Sequence, residues 1–100
     1  MTHELKILPK YFEPVVYDKK TFEIRKNDRD YHVGDKLILK EWDSETGYSG
    51  NQVVRYVSYI LFNWENAIGE GYCIMSLKHT PPTVGLDGEL NEQSDYQISP

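Results

Sequence analysis

The sequence predicts a mainly β domain of the α+β class, a small and mostly antiparallel barrel with one or two short helices. Aromatic residues make up 13% of the chain, and eight of them are Tyr, which favours strands. Several segments alternate apolar and polar side chains and are punctuated by Gly, Asn and Asp turns. One segment, just after the first strand, repeats its apolar residues three to four apart instead. Closing the sheet is the expected way for so short a chain to remove exposed strand edges.

"ELKILPK" opens the fold as a strand, with Leu5 and Ile7 alternating against Glu4 and Lys6, and Pro9 ends it. "PKYFEPVVYDKK" follows as a short helix whose apolar stripe is Tyr11, Phe12, Val15 and Val16. Pro14 is expected in the first turn, where its missing N–H costs little, and Lys19 and Lys20 at the C-terminal end, where cations suit the dipole. "TFEIRKN" is the second strand. Its period of two places Phe22 and Ile24 on an apolar face, and Thr21, Glu23 and Arg25 on a polar one. "NDRD" and Val33-Gly34-Asp35 are turns, and Lys36 to Trp42 is the third strand. "DSETGYSGNQ" reads as a loop. "VVRYVSYIL" is the strongest strand, "FNWENAIGEG" a loop or single helical turn, and "YCIMSLK" the last strand.

One domain is expected over residues 1–78. From His79 onward the periodicity stops, and residues 79–100 are expected to form an acidic, disordered tail that the core does not need. That tail holds four acids and no Lys or Arg, most of the chain's net charge of −5. Residues 6–40 run the other way, with nine Lys and Arg against six acids. The overall charge argues against tight non-specific binding to nucleic acid, yet it leaves room for a local basic patch.

The single cysteine, Cys73, excludes an intrachain disulfide and any zinc site built from several thiolates. His3, His32 and His79 lack metal-ligand spacing, so neither a metal nor another cofactor is expected. No signal peptide or membrane-spanning stretch is visible, so the expectation is a cytoplasmic protein without a membrane partner, monomeric by default.

Chemistry concentrates in Lys20, Thr21, Glu23 and Arg25, within six residues of one another. On an exposed strand such charges merely solvate and pair weakly. If the preceding helix folds over this face, they line a cleft instead. Arg25 then binds a phosphate or carboxylate bidentately while Glu23 holds it in place. Tyr31 and His32, in the next turn, offer rings on which a base could stack. Trp42 and Trp64 read first as core or edge-covering residues. Lys6, Lys10, Lys19, Lys26, Lys36 and Lys40 either solvate the surface or flank the cleft and steer a phosphate backbone.

The stretch "LKILPKYFEPVVYDKKTFEIRKNDRDYHVGDKLILKEWD", with its "KKTFEIR" core, its "VGD" turn before a strand ending in "EWD", and "GYCIMSL" as closing strand, resembles the ASCH domain. That domain belongs to the PUA-like superfamily, and this chain is most similar to the small stand-alone branch known only as DUF3850. The resemblance covers roughly residues 3–78 and implies a PUA-like pseudo-β-barrel with a helix after the first strand and a cleft lined by the motif. It also implies a role with RNA or modified nucleotides, with Lys20, Thr21, Glu23, Arg25 and Tyr31 as the candidate ligand-binding residues. One ASCH branch removes the acetyl group from N4-acetylcytidine with a Lys, a Thr three residues later and a downstream Glu. Here Lys20 matches the Lys, but Glu23 stands where that Thr would be, and only Glu65 and Glu70 are available downstream. The expected function is therefore RNA or nucleotide binding. The alternative is an amidohydrolase acting on an N4-acylated cytidine, with Lys20 activating a hydroxyl or water and Glu23 as general base.

Overall fold

The computed structural model describes residues 1–62 and 68–82. The elements run β1 (Thr2–Ile7), α1 (Pro9–Val16), β2 (Phe22–Lys26), β3 (Lys36–Asp43), β4 (Gly47–Phe62) and β5 (Tyr72–Lys78). All five strands form one sheet in the order β1-β3-β4-β5-β2. β1 pairs with β3 in parallel, and the other neighbours are antiparallel. The sheet curls into a half-barrel around a core of Leu5, Ile7, Val15, Leu37, Leu39, Val57, Met75 and their neighbours. Trp64, Glu65 and most of the expected tail lie outside the described residues.

β1 follows the predicted alternation, burying Leu5 and Ile7 together with His3, and the predicted strands β3 and β5 alternate likewise, burying Leu37 and Leu39, then Cys73, Met75 and Leu77. Three expectations need correction. The ten-residue loop after Trp42 is a turn at residues 44–46, tied by Glu45 N–H donating to Asp43 Oδ1 at 2.7 Å. β4 then starts at Gly47, and its first residues pair Tyr48 with Trp42 and Gly47 with Asp43. Polar, glycine-rich composition hid this extension, because cross-strand pairing held it as strand. The helix is also shorter than expected and stops at Val16. Pro9, not Pro14, occupies its first turn, where a proline is pre-organised, and Pro14 sits inside it. Lys19 and Lys20 lie beyond the helix, after a left-handed Asp18 (φ 60°). In their place Arg55, reaching across from β4, donates to the carbonyls of Val15 at 3.0 Å and Val16 at 3.4 Å. A lone arginine in the apolar run "VVRYVSYIL" thus satisfies a helix C-terminus that has no cation of its own in its last turn.

The two sheet edges, β1 and β2, are not joined by a strand ladder. The Met1 carbonyl accepts from Lys36 N–H, so the alternation turns the carbonyls of Glu4 and Lys6 outward. Arg25 Nη2 donates to Lys6 O at 2.6 Å and Arg29 Nη1 to Glu4 O at 3.0 Å. Two guanidinium groups therefore stitch the open side of the half-barrel and supply partners for an otherwise bare edge.

Cys73 is wholly buried, and burial pushes its thiol up. The native protein is expected to resist a thiol reagent at about pH 8 and to react freely once unfolded in denaturant. Fast labelling of the native chain would contradict this placement.

Candidate functional site

The period of two in β2 is as predicted, and it is the polar face that points inward. Glu23 is 4% exposed, whereas Phe22 is 42% and Ile24 51% exposed. Alternation identifies two faces without saying which points inward. Here the apolar pair is outside, and the charged pair faces into the half-barrel, where Arg25 can reach the β1 edge. Thr21, predicted on the polar face, precedes the strand and is exposed; its carbonyl accepts from Leu77 N–H at 2.9 Å.

Three of the five predicted site residues come together. Glu23 accepts from Lys20 Nζ through Oε1 at 2.6 Å and from Arg25 Nε through Oε2 at 2.8 Å. Lys20 Nζ also donates to Phe22 O at 2.7 Å. Both carboxylate oxygens thus hold a cation, and each cation holds a main-chain carbonyl. Such doubly partnered geometry is what makes a buried carboxylate tolerable.

Beside this triad a cleft of about 670 Å³ opens between the edges of β1 and β2, with Leu8 and Tyr11 at the start of α1 forming one wall. The helix therefore does border the motif. Lys19, Lys20 and Arg25 contribute three cations to the lining, against the single acid Glu23; Lys6 also lines it, but its ammonium lies over the Trp42 ring, 4.3 Å from the centroid. Lys20 Nζ lies 5.0 Å from the Phe22 ring and 5.6 Å from the Tyr11 ring. Both residues are about two-fifths exposed, and Lys10 Nζ also lies 5.1 Å from the Tyr11 ring. Phe22, Tyr11, Lys6 and Lys19 complete the site. The strand alternation places Phe22 on the face opposite Glu23 and Arg25, and because β2 is a sheet edge residues of both faces line the cleft.

Tyr31 is placed elsewhere. It is buried in the core with its ring edge-on to His3, centroids 4.8 Å apart, so it has no face to offer a base. Burial pushes its phenol up, against the opposing pull of Arg25 and Arg29. His3 in turn meets Asp35, Nε2 to Oδ2 at 2.8 Å, and that same oxygen accepts from His32 N–H at 2.9 Å. The Met1 amine reaches Asp35 Oδ1 at 3.1 Å. This buried cluster fixes the turn that leads into β3. Among the described residues no three His, Cys, Asp or Glu converge in a way that could hold a metal ion, and no helix is long and apolar enough to cross a membrane.

Two comparisons bear on identity. A 40-residue stretch is 55% identical to the "Uncharacterized 12.9 kDa protein in GpA 3'region" of Escherichia phage P2, covering 40% of this chain and 37% of that protein's length. Residues 2–77, which span the whole cleft and all the strands described above but for Lys78 at the end of β5, match the family described as Domain of unknown function (DUF3850), so the chain belongs to the DUF3850 family.

Proposed function

We propose that the cleft between β1 and β2 binds RNA or a modified nucleotide, and that the domain is a non-catalytic, PUA-like module of the ASCH type. The observation that carries this reading is the composition of the cleft: the cations of Lys19, Lys20 and Arg25 against one acid, beside the partly exposed Tyr11 and Phe22, in a chain whose net charge is −5. Basic groups interleaved with open aromatic faces suit single-stranded nucleic acid, because the cations hold phosphate and any base can stack on a ring. Lys20 and Arg25 supply the charge, Glu23 fixes their positions, and Phe22 and Tyr11 take the stacking role that the sequence had suggested for Tyr31.

An NMR titration with short mixed RNAs at low salt is expected to shift Lys6, Tyr11 and residues 19–25. Phe22→Ala, at an exposed edge position, is expected to weaken binding about tenfold, since one base–aromatic stack is worth about 1–3 kcal/mol. Affinity is also expected to fall with added salt. Shifts confined to other faces, or none at all, would reject the reading.

One observation keeps the amidohydrolase reading as a second possibility: Lys20 Nζ and Glu23 Oε1 lie 2.6 Å apart at the cleft. Glu23 would first have to release both cations before it could accept a proton, which places binding ahead. Cytidine release from N4-acetylcytidine that is abolished by Lys20→Ala would reverse that order.

A further inference from the structure

The shape of the cleft and its unused donors bear on which part of a nucleic acid it takes. Along β2 it extends from Phe22 to Arg25, four residues of strand spanning ~10 Å. At the Arg25 end the gap between the edges is bridged by Arg25 to Lys6 O at 2.6 Å and, further on, by Arg29 to Glu4 O at 3.0 Å. At the other end Leu8 and Tyr11 form the wall. A strand of RNA could not run on between β1 and β2 past those bridges. A chain end or a single nucleotide fits such a bounded space better than an internal stretch does.

The charge points the same way. Lys20 Nζ has three N–H groups, and two are committed, to Phe22 O and Glu23 Oε1. Arg25 commits Nε to Glu23 and one N–H of Nη2 to Lys6 O, which leaves the remaining guanidinium donors of its fork. With Glu23 already neutralised inside the triad, these spare donors and Lys19 give the cleft a surplus of positive charge, while the Lys6 ammonium lies over the Trp42 ring, 4.3 Å from its centroid. An internal phosphodiester carries one negative charge. A phosphate monoester carries about −1.5 to −2 at pH 7, with three acceptor oxygens, and is the better complement.

We infer that the cleft takes a terminal phosphate monoester, presented by a mononucleotide or by the end of an RNA chain, with the adjoining base against Phe22 or Tyr11. This inference rests on the nucleic-acid reading above and narrows it. Lys20 and Arg25 receive the phosphate oxygens, Lys19 screens the remaining charge, and the bridge from Arg25 to the Lys6 carbonyl stops the chain from threading through.

The test uses the full chain and RNA tetranucleotides of one sequence carrying a 5′-phosphate, a 3′-phosphate or hydroxyls at both ends, together with a nucleoside 5′-monophosphate and inorganic phosphate. One phosphorylated end is expected to bind at least tenfold tighter than the hydroxyl form. That advantage should shrink from pH 7.5 to pH 5.5, as the monoester takes up its second proton at about pH 6. Lys19→Ala, at an exposed position, should reduce the advantage while the protein stays folded. A mononucleotide that matches the tetranucleotide identifies a free nucleotide as ligand; a tetranucleotide that binds more tightly identifies an RNA end. Equal affinity for phosphorylated and hydroxyl ends overturns the inference and leaves nucleic-acid binding standing. No binding by any RNA or nucleotide overturns both.

Discussion

Glu23→Ala is expected to destabilise the fold by about 3 kcal/mol, enough to lower the melting temperature of a domain this size by roughly 12 °C or more. The carboxylate is nearly inaccessible and holds Lys20 at 2.6 Å and Arg25 at 2.8 Å. Its removal leaves two cations together, with side chains only 18% and 24% exposed and nothing negative between them. The cost sits at the lower end of what orphaned buried charges show, because Lys20 and Arg25 keep their carbonyl partners and Lys20 can turn toward water. Adding Lys20→Met to Glu23→Ala is expected to recover about 1 kcal/mol, since it removes one of the stranded charges. Denaturant melts of the four proteins in this cycle measure the coupling. Simple additivity of the two substitutions would show that the triad is not an energetic unit.

That triad was legible in the sequence as a cluster but not as an arrangement. Lys20, Glu23 and Arg25 fall within six residues, so any extended conformation brings them close. Which face of β2 they occupy depends on an event far away in the chain: β1 and β2 end up as the two edges of one curled sheet. The inner face near that gap needs donors for the carbonyls of Glu4 and Lys6, and arginine at position 25 supplies one where an aliphatic side chain would supply none. Local alternation carries no trace of that demand, so it separates Phe22 and Ile24 from Glu23 and Arg25 without telling which pair points inward. The same kind of long-range dependence hid the start of β4, where Tyr48 is held as strand by Trp42, and the role of Arg55, whose helix partners are about 40 residues away. By contrast β1, β3 and β5 were readable because their inward residues are the apolar ones.

The edges also explain why the cleft opens in this place. A half-barrel stitched by side chains has a seam, and a seam near a helix start leaves a concave space with main-chain polar groups and charges on its walls. In β2, Leu77 N–H donates to Thr21 O and Asn27 N–H donates to Gly71 O, so the intervening alternation turns the main chain of Ile24 toward the open edge. Most soluble domains blunt such an edge with charge or cover it. Here Lys20 covers only the Phe22 carbonyl and Arg25 reaches across the gap, which leaves the edge between them beside the cleft.

The second large effect is expected at Asp35, remote from the cleft. Burial alone would push this carboxyl up, but the hydrogen bond from His3, the N–H of His32 and the Met1 amine together outweigh it and hold the group below its ordinary value of 3.8. A carboxyl whose folded value is depressed releases its proton more readily in the folded state than in the unfolded one. Its contribution to stability is therefore fully present well above 3.8 and is lost as the pH falls through that value toward the lower folded one. Asp35→Asn keeps the shape but loses the charge that faces His3 and the amine, and is expected to cost about 3 kcal/mol near neutral pH. Melting curves taken from pH 7 down to pH 3 should show the wild type losing stability more steeply than the variant in the acid range, so that the gap between them narrows. Parallel curves would mean that Asp35 is not the group whose protonation loosens the turn into β3. A narrowing gap would place a main acid-sensitive point of the fold at the His3–Asp35 contact, where the start of β1 meets the turn before its parallel partner β3.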